Sequence, residues 1–169
     1  TVSSISNNTD ESGLTASFTV VLTSEPTADV TIGMSSSKTT EGTVSPLSLI
    51  FNTTNWNVPQ TVIVTGVDDG VVDGDVSFNI VTANSSSLDV AYNNLIVADV
   101  TVVNSDDEVA SFALDKLTAN TTEKGGSESF TLVLPVAPLT NVVFDIVSDN
   151  TNEGVVSVSQ VVFTPANWN

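Results

Sequence analysis

The chain has no cysteine, no histidine and no arginine, and its three lysines face 20 acidic residues, for a formal net charge of −17 over 169 residues. Each absence closes a class of function. Without cysteine there are no disulfides and no thiol chemistry, and without histidine or cysteine the usual zinc donors are missing. Histidine-based acid–base catalysis is excluded with them. Nucleic-acid binding replaces phosphate counterions with Lys and Arg, and three lysines cannot do that. Docking to an anionic membrane surface fails on the same ground. No apolar run approaches the roughly 20 residues that span a bilayer as a helix.

What is present points to strands. Val, Thr, Ser and Asn supply 90 of the residues, and 40% of the chain is hydrophobic. That apolar content separates it from disordered acidic chains, which pair high charge with low hydrophobicity. Val and Thr are β-branched and suit a pleated surface. Alternation of period two recurs through Phe18-Val20-Leu22, Val30-Ile32-Met34, Leu47-Leu49-Phe51, Val62-Val64, Val76-Phe78-Ile80 and Ala98-Val100-Val102, with turn residues between. With a first strand near Val2–Ile5, this predicts about seven short antiparallel strands. No amphipathic helix lies between them, so an antiparallel Greek-key β-sandwich is expected.

The chain also repeats itself. Asn55-Trp56-Asn57 returns as Asn167-Trp168-Asn169, an offset of 112. The same offset carries Ser17-Phe18-Thr19 onto Ser129-Phe130-Thr131, Pro26 onto Pro138, Glu41-Gly42 onto Glu153-Gly154 and Phe51 onto Phe163. Over the 57 ungapped pairs, 21 are identical, several times what chance gives for this composition. The expected organisation is one complete sandwich at residues 1–107 and the first half of a second at 108–169. Half a sandwich exposes an apolar face and unpaired edges, so either the chain end is artificial or the missing strands come from elsewhere.

Acidic residues are concentrated. Asp68, Asp69, Asp73 and Asp75 fall within eight residues that also hold Gly70 and Gly74, and Asp106-Asp107-Glu108 follow the last strand of the first copy. Both stretches sit at strand ends, and the loop with Asp10 and Glu11 is expected at the same pole. Like charges about 4 Å apart cost on the order of 1 kcal/mol even in water. A hard cation removes that cost, and Ca²⁺ takes 6–8 oxygen ligands where Mg²⁺ keeps its waters. The competing reading is a set of solvated turn residues, which Asp and Gly form in any case. Trp56 and Trp168 occupy one fixed point of the repeat beside a strand, which favours a packing role over carbohydrate stacking. Paired carboxylates can hydrolyse glycosides, but no aromatic-lined cleft is evident, so no catalytic residue is assigned.

The ordered motifs Glu11-x-Gly13, Ser17-Phe18-Thr19-Val20, Pro26-Thr27-Ala28-Asp29-Val30, Glu41-Gly42-Thr43-Val44-Ser45-Pro46 and Leu49-x-Phe51 have a familiar arrangement. Asn55-Trp56-Asn57-x-Pro59, Val64-Thr65-Gly66-Val67-Asp68-Asp69, Asp73-Gly74-Asp75, Tyr92 and Asp106-Asp107 continue it. Together they resemble a Calx-beta-like repeat. The resemblance covers the first copy and the front half of the second. It implies an immunoglobulin-like sandwich that binds Ca²⁺ at one end, arranged in tandem in large secreted or cell-surface bacterial or archaeal proteins, often adhesins. By position, Glu11, Asp68, Asp69, Asp73, Asp75, Asp106 and Asp107 match the metal ligands. Lys38 departs from the pattern, standing where many such repeats carry Asp. The resulting expectation is a non-enzymatic, extracellular structural module stiffened by Ca²⁺. Its partners would be neighbouring repeats or copies of itself, with a cell-surface or glycan target beyond them. The alternative is a filament subunit whose half-repeat is completed by strands from a neighbouring chain.

Overall fold

The computed structural model describes residues 1–115 and 119–169, which contain strands, turns and loops and no helix. Contacts divide the chain into two units, one of Thr1–Asp69 with Gly74–Asp107, the other of Gly70–Asp73 with Glu108–Asn169.

The first unit contains nine strands: β1 (Thr9–Asp10), β2 (Thr15–Val20), β3 (Val30–Ser36), β4 (Gly42–Ser45), β5 (Ser48–Phe51), β6 (Gln60–Gly66), β7 (Val76–Thr82), β8 (Ser86–Ser87) and β9 (Val100–Ser105). They form two sheets. One runs β1-β9-β7-β3-β5 with β8 also on β3, and the other runs β2-β6-β4. The first unit is thus an all-β, immunoglobulin-like sandwich. All pairs are antiparallel except β1 on β9, where Thr9 and Asp10 lie parallel to Asn104 and Ser105.

Period-two alternation builds the core directly. Phe18, Val20, Val62 and Val64 from one sheet meet Val30, Ile32, Phe51, Phe78, Ile80 and Val102 from the other, and all are buried. Each fully buried apolar side chain of this size contributes roughly 1.5–3 kcal/mol. Several expected strand positions fall outside this pattern, Leu22 among them, half-buried beyond the end of β2. Leu47 is 67% exposed: just before β5 its carbonyl already accepts the Met34 N–H of β3 at 2.8 Å, but its side chain stays outside the core. Ala98 is exposed and precedes β9. The segment Val2–Ile5 is not a regular strand. It forms one bridge to β2, Val2–Val20, and the Ser3 and Ser6 N–H groups donate to the Thr19 and Ser17 carbonyls at 2.9 Å, but the Thr19 and Ser17 N–H groups donate to the Ser3 and Ser6 hydroxyls at 2.9 Å in place of backbone carbonyls.

At the pole where β9 begins, Asp89 holds the long 83–99 connection. Its carboxylate accepts the Thr27 N–H at 2.8 Å and the Ala91 N–H at 2.9 Å, and these bonds hold its pKa below the ordinary 3.8, Thr27 contributing most. The native state therefore binds fewer protons than the unfolded chain just below pH 4, and acid favours unfolding. Asp89→Asn should lower the urea midpoint at pH 6. The gap to the parent should close as pH falls through the lowered native value, and a gap independent of pH would reject this account. Tyr92 completes the anchor, its hydroxyl donating to the Ser24 carbonyl at 2.7 Å.

The second unit contains β10 (Ala113–Asp115), β11 (Thr131–Val133), β12 (Val142–Asp145) and β13 (Gln160–Phe163), paired as β10-β11 and β12-β13. Its register repeats that of the first unit at the offset of 112. Val142 faces Phe163 and Phe144 faces Val161, as Val30 faces Phe51 and Ile32 faces Leu49. Leu114 faces Leu132, as Val2 faces Val20. Turns repeat as well. The Glu153 and Gly154 N–H groups donate to the Asn150 carbonyl, as those of Glu41 and Gly42 do to Lys38. The Asn167 side chain accepts the Thr164 N–H at 2.6 Å, as Asn55 accepts that of Asn52 at 2.7 Å.

Candidate functional site

Strand pairing collects the acidic loops of the first unit at one pole. Gly42 pairs with Gly66, Asp10 with Ser105, and Val76 with Asn104. Glu41, Val67-Asp68-Asp69, Glu11, Asp75 and Asp106 are therefore the next residues beyond the ends of neighbouring strands. Four polar side chains at this pole are buried: Thr9, Glu11, Glu41 and Asn104. Burying a carboxylate is costly unless it is paired, so these two glutamates mark the pole as a built feature rather than a solvated turn.

Asn104 organises its floor. Its side-chain N–H group donates to the Val67 carbonyl at 3.1 Å and toward Glu41 Oε2 at 3.4 Å, while its Oδ1 accepts the Thr9 hydroxyl at 2.9 Å. The backbone closes tightly over it. A Cβ on Gly66 would lie 2.0 Å from the Asp10 carbonyl oxygen and 2.6 Å from Asn104 Oδ1, and one on Gly42 would meet the Phe78 ring at 2.3 Å. Both glycines are required by close approach, since nothing larger fits beneath those neighbours.

Glu11 and Asp68 bring carboxylate oxygens within 4.8 Å of each other, and Glu41 and Asp69 do the same. Asp68 and Asp69 are exposed, so each pair joins a buried carboxylate to a solvent-facing one. Lys38 Nζ lies 2.9 Å from Glu41 Oε1, with the glutamate 1% exposed and the lysine 44%. The ammonium that departs from the Calx-beta-like pattern is thus the counterion of a buried carboxylate.

Asp75 and Asp106 tie the two loops together. Asp106 Oδ2 accepts the Gly74 N–H at 2.6 Å, and Asp75 Oδ1 accepts the Asp106 N–H at 3.3 Å. They hold the loop before β7 against the end of β9. Asp107 is exposed just beyond Asp106. Asp73 is half-buried in the segment Gly70–Asp73, which belongs to the second unit and bridges Ala137 through Val71. Asp10 shapes the neighbouring turn: it accepts the Ser12 hydroxyl at 2.6 Å and the Leu14 N–H at 2.9 Å. These bonds, Ser12 first, hold its pKa below 3.8.

Glu41 and Asn104 belong to this pole and are not among the ligands assigned from sequence. The signal for Glu41 was the Glu-Gly pair that recurs at 153–154. Asn104 carried none, being one polar residue at the end of a valine-rich strand. Chemically the pole offers only oxygen donors from carboxylates, amide and backbone carbonyls, which suit a hard cation. Neither tryptophan fills the core. Trp56 is half-buried and its carbonyl accepts the Leu22 N–H at 3.0 Å, at the corner between β5 and β6.

No family model matches the chain, and no curated protein matches it. Among solved structures, the periplasmic chaperone SfaE is similar over 96% of this chain and 98% of its own, at 10% identity and a TM-score of 0.45. SSP-19, an MSP-domain protein-like family member of Caenorhabditis elegans, is similar over 62% of this chain and 98% of its own, at 13% identity and a TM-score of 0.39. WR4, a C. elegans MSP family member, covers 59% of this chain and 90% of its own, at 12% identity and a TM-score of 0.37. Scores this low carry nothing about activity or partners.

Proposed function

We propose that this chain is a non-enzymatic structural module of a long extracellular protein, a Calx-beta-like repeat that binds Ca²⁺ at the acidic pole of its complete sandwich. The observation that carries the reading is the pair of buried glutamates, Glu11 and Glu41, each with an aspartate carboxylate oxygen within 4.8 Å. Glu11 and Asp68 are the favoured first ligands, since Lys38 already neutralises Glu41. Asp69, Asp106 and Asp107 supply further oxygens at the same pole, and Asp73 and Asp75 stand in the loop that follows Asp69. Bound Ca²⁺ would cross-link the ends of β1, β6 and β9 and remove their hinge freedom. In a tandem array that stiffening is the function, with adhesion left to other parts of the protein.

Chelation is the direct test. An ion at 100 times its dissociation constant stabilises a domain by about 2.7 kcal/mol, which for a domain of this size raises the melting midpoint by roughly 10–20 °C. Melting the full chain with excess Ca²⁺ and with excess chelator should show that difference. Glu11→Gln with Asp68→Asn should abolish most of it. Coincident melts would end the calcium reading.

A further inference from the structure

The buried polar cluster at the pole of the first unit holds more than a counterion. Glu41, Thr9 and Asn104 are each 1% exposed. Lys38 Nζ lies 2.9 Å from one oxygen of the Glu41 carboxylate, Oε1. The Asn104 amide nitrogen donates toward the other, Oε2, at 3.4 Å. One carboxylate therefore spans a primary amine and the nitrogen of a carboxamide. On the other side of that carboxamide, Oδ1 accepts the Thr9 hydroxyl at 2.9 Å.

An ion pair accounts for Lys38 and Glu41 but not for the rest. The Asn104 contact to Oε2 is too long for a good hydrogen bond, and the Val67 carbonyl already takes an Asn104 N–H at 3.1 Å. The set contains the equipment for acyl transfer to an amine. Lys38 supplies a nucleophile, Asn104 an acyl carbon and Glu41 a proton carrier that faces both. Thr9 supplies a donor to the oxygen on which charge develops. Burial keeps water, the competing nucleophile, from the Asn104 carbonyl. The second unit has no such set, since Asn150 stands at the position of Lys38.

We propose that Lys38 and Asn104 condense into an intramolecular amide, with Glu41 carrying the protons. Glu41 Oε1 takes one proton from the Lys38 ammonium and frees the Nζ lone pair. Nζ attacks Asn104 Cγ, and the carbonyl electrons move onto Oδ1, where the Thr9 hydroxyl donates. As this adduct collapses the Cγ–Nδ2 bond breaks, and a second Nζ proton passes through Glu41 to the departing nitrogen. Ammonia leaves, Nζ remains in the new amide, and Glu41 ends as the neutral acid. The three ammonium protons are then divided among the amide, Glu41 and the ammonia, and no co-reactant enters.

The product removes a buried charge, because a neutral Glu41 no longer needs a counterion. It also ties Lys38, on the connection from β3 to β4, to Asn104 in β9. β4 and β9 belong to different sheets. In a chain with no cysteine, this is the part a disulfide plays, restricting the unfolded chain by a covalent loop. Lys38 is 44% exposed, so water competes for its ammonium, and Nζ must leave Oε1 to reach Cγ. The chain therefore starts as the ion pair and converts slowly. In the converted fraction Lys38 is no longer a counterion, so intact mass is read before Lys38 variants are compared.

Intact-mass spectrometry of the full chain, after prolonged incubation in chelator, should read the sequence mass less one ammonia. Digestion should then yield one linked peptide pair that joins Lys38 to Asn104. Lys38→Met and Glu41→Gln should each restore the sequence mass, with Trp56 fluorescence reporting that the first unit is retained. A parent that keeps its full sequence mass overturns the proposal. So does an ammonia loss that persists in Lys38→Met, which would place it in a succinimide at another asparagine. A linked pair that joins Lys38 to any other residue also overturns it. The result is separate from the cation reading, because neither Glu11 nor Asp68 takes part and the mass is read without Ca²⁺.

Discussion

Phe51→Ala should destabilise the first unit by about 3–5 kcal/mol, while the equivalent change Phe163→Ala should cost the second unit less than half as much. The two phenylalanines occupy the same point of the repeat, each opposite a valine in the same register: Phe51 faces Val30, and Phe163 faces Val142. They differ in what closes over them. Phe51 is fully buried, in a core where Val30, Val62, Val64 and Ile80 are likewise inaccessible. Truncation there leaves a cavity that close-packed neighbours cannot collapse into, and the cavity adds to the lost transfer energy. Phe163 has Phe144 on one side and half-buried residues around it, so solvent and neighbours can fill the space. Each unit contains one tryptophan, Trp56 in the first and Trp168 in the second. Urea unfolding of the Trp56→Phe and Trp168→Phe backgrounds therefore reads the two transitions separately. Equal losses would mean that the second unit has a core as closed as that of the first.

The contrast shows which features the sequence could disclose. Strands with inward apolar residues at every second position, such as β2, β3, β6, β7 and β9, were legible because alternation is both the cause of their burial and the signal. Three strands were not. Thr9–Asp10 and Ser86–Ser87 are two residues each and carry no alternation, and they join the sheet through the neighbours that carry them. Gly42–Ser45 has Val44 as its one inward apolar side chain, and Gly42 is buried because the Phe78 ring lies against it. Leu47 misled in the opposite sense, since its parity fits β5 and its carbonyl bonds to Met34 of β3 while its side chain is exposed. At the pole, the clustering of Asp68, Asp69 and Asp106 was visible in composition. The pairing of each glutamate with its own aspartate was not, because it depends on how the strand ends are registered, with Gly42 opposite Gly66 and Asp10 opposite Ser105.

Lys38→Met should cost the first unit about 3 kcal/mol in chelator, and Ca²⁺ should return a large part of that loss. Removing one partner of a buried ion pair leaves an uncompensated charge and costs about 3–5 kcal/mol. The lower end applies here, because the ammonium is 44% exposed while Glu41 is 1% exposed. Without Lys38, Glu41 retains a long contact from Asn104 at 3.4 Å and faces an Asp69 carboxylate oxygen within 4.8 Å. Two carboxylates at that spacing without that ammonium form the arrangement a divalent cation relieves. The variant should therefore bind Ca²⁺ more tightly than the parent, or bind one ion more, and its melting midpoint should rise further on Ca²⁺ addition. Glu41→Gln in the same background should erase that extra response. Combined with Lys38→Met it should also cost less than the two single changes added together, since each removes the same charge pair. Isothermal titration of the parent and the three variants reads stoichiometry and affinity, and denaturation in chelator reads the pair itself. An identical loss with and without Ca²⁺ would show that no cation reaches Glu41 and would confine any ion to Glu11 and Asp68. A loss below about 1 kcal/mol would place Lys38–Glu41 among ordinary surface pairs. Lys38 would then be no substitute for an ion.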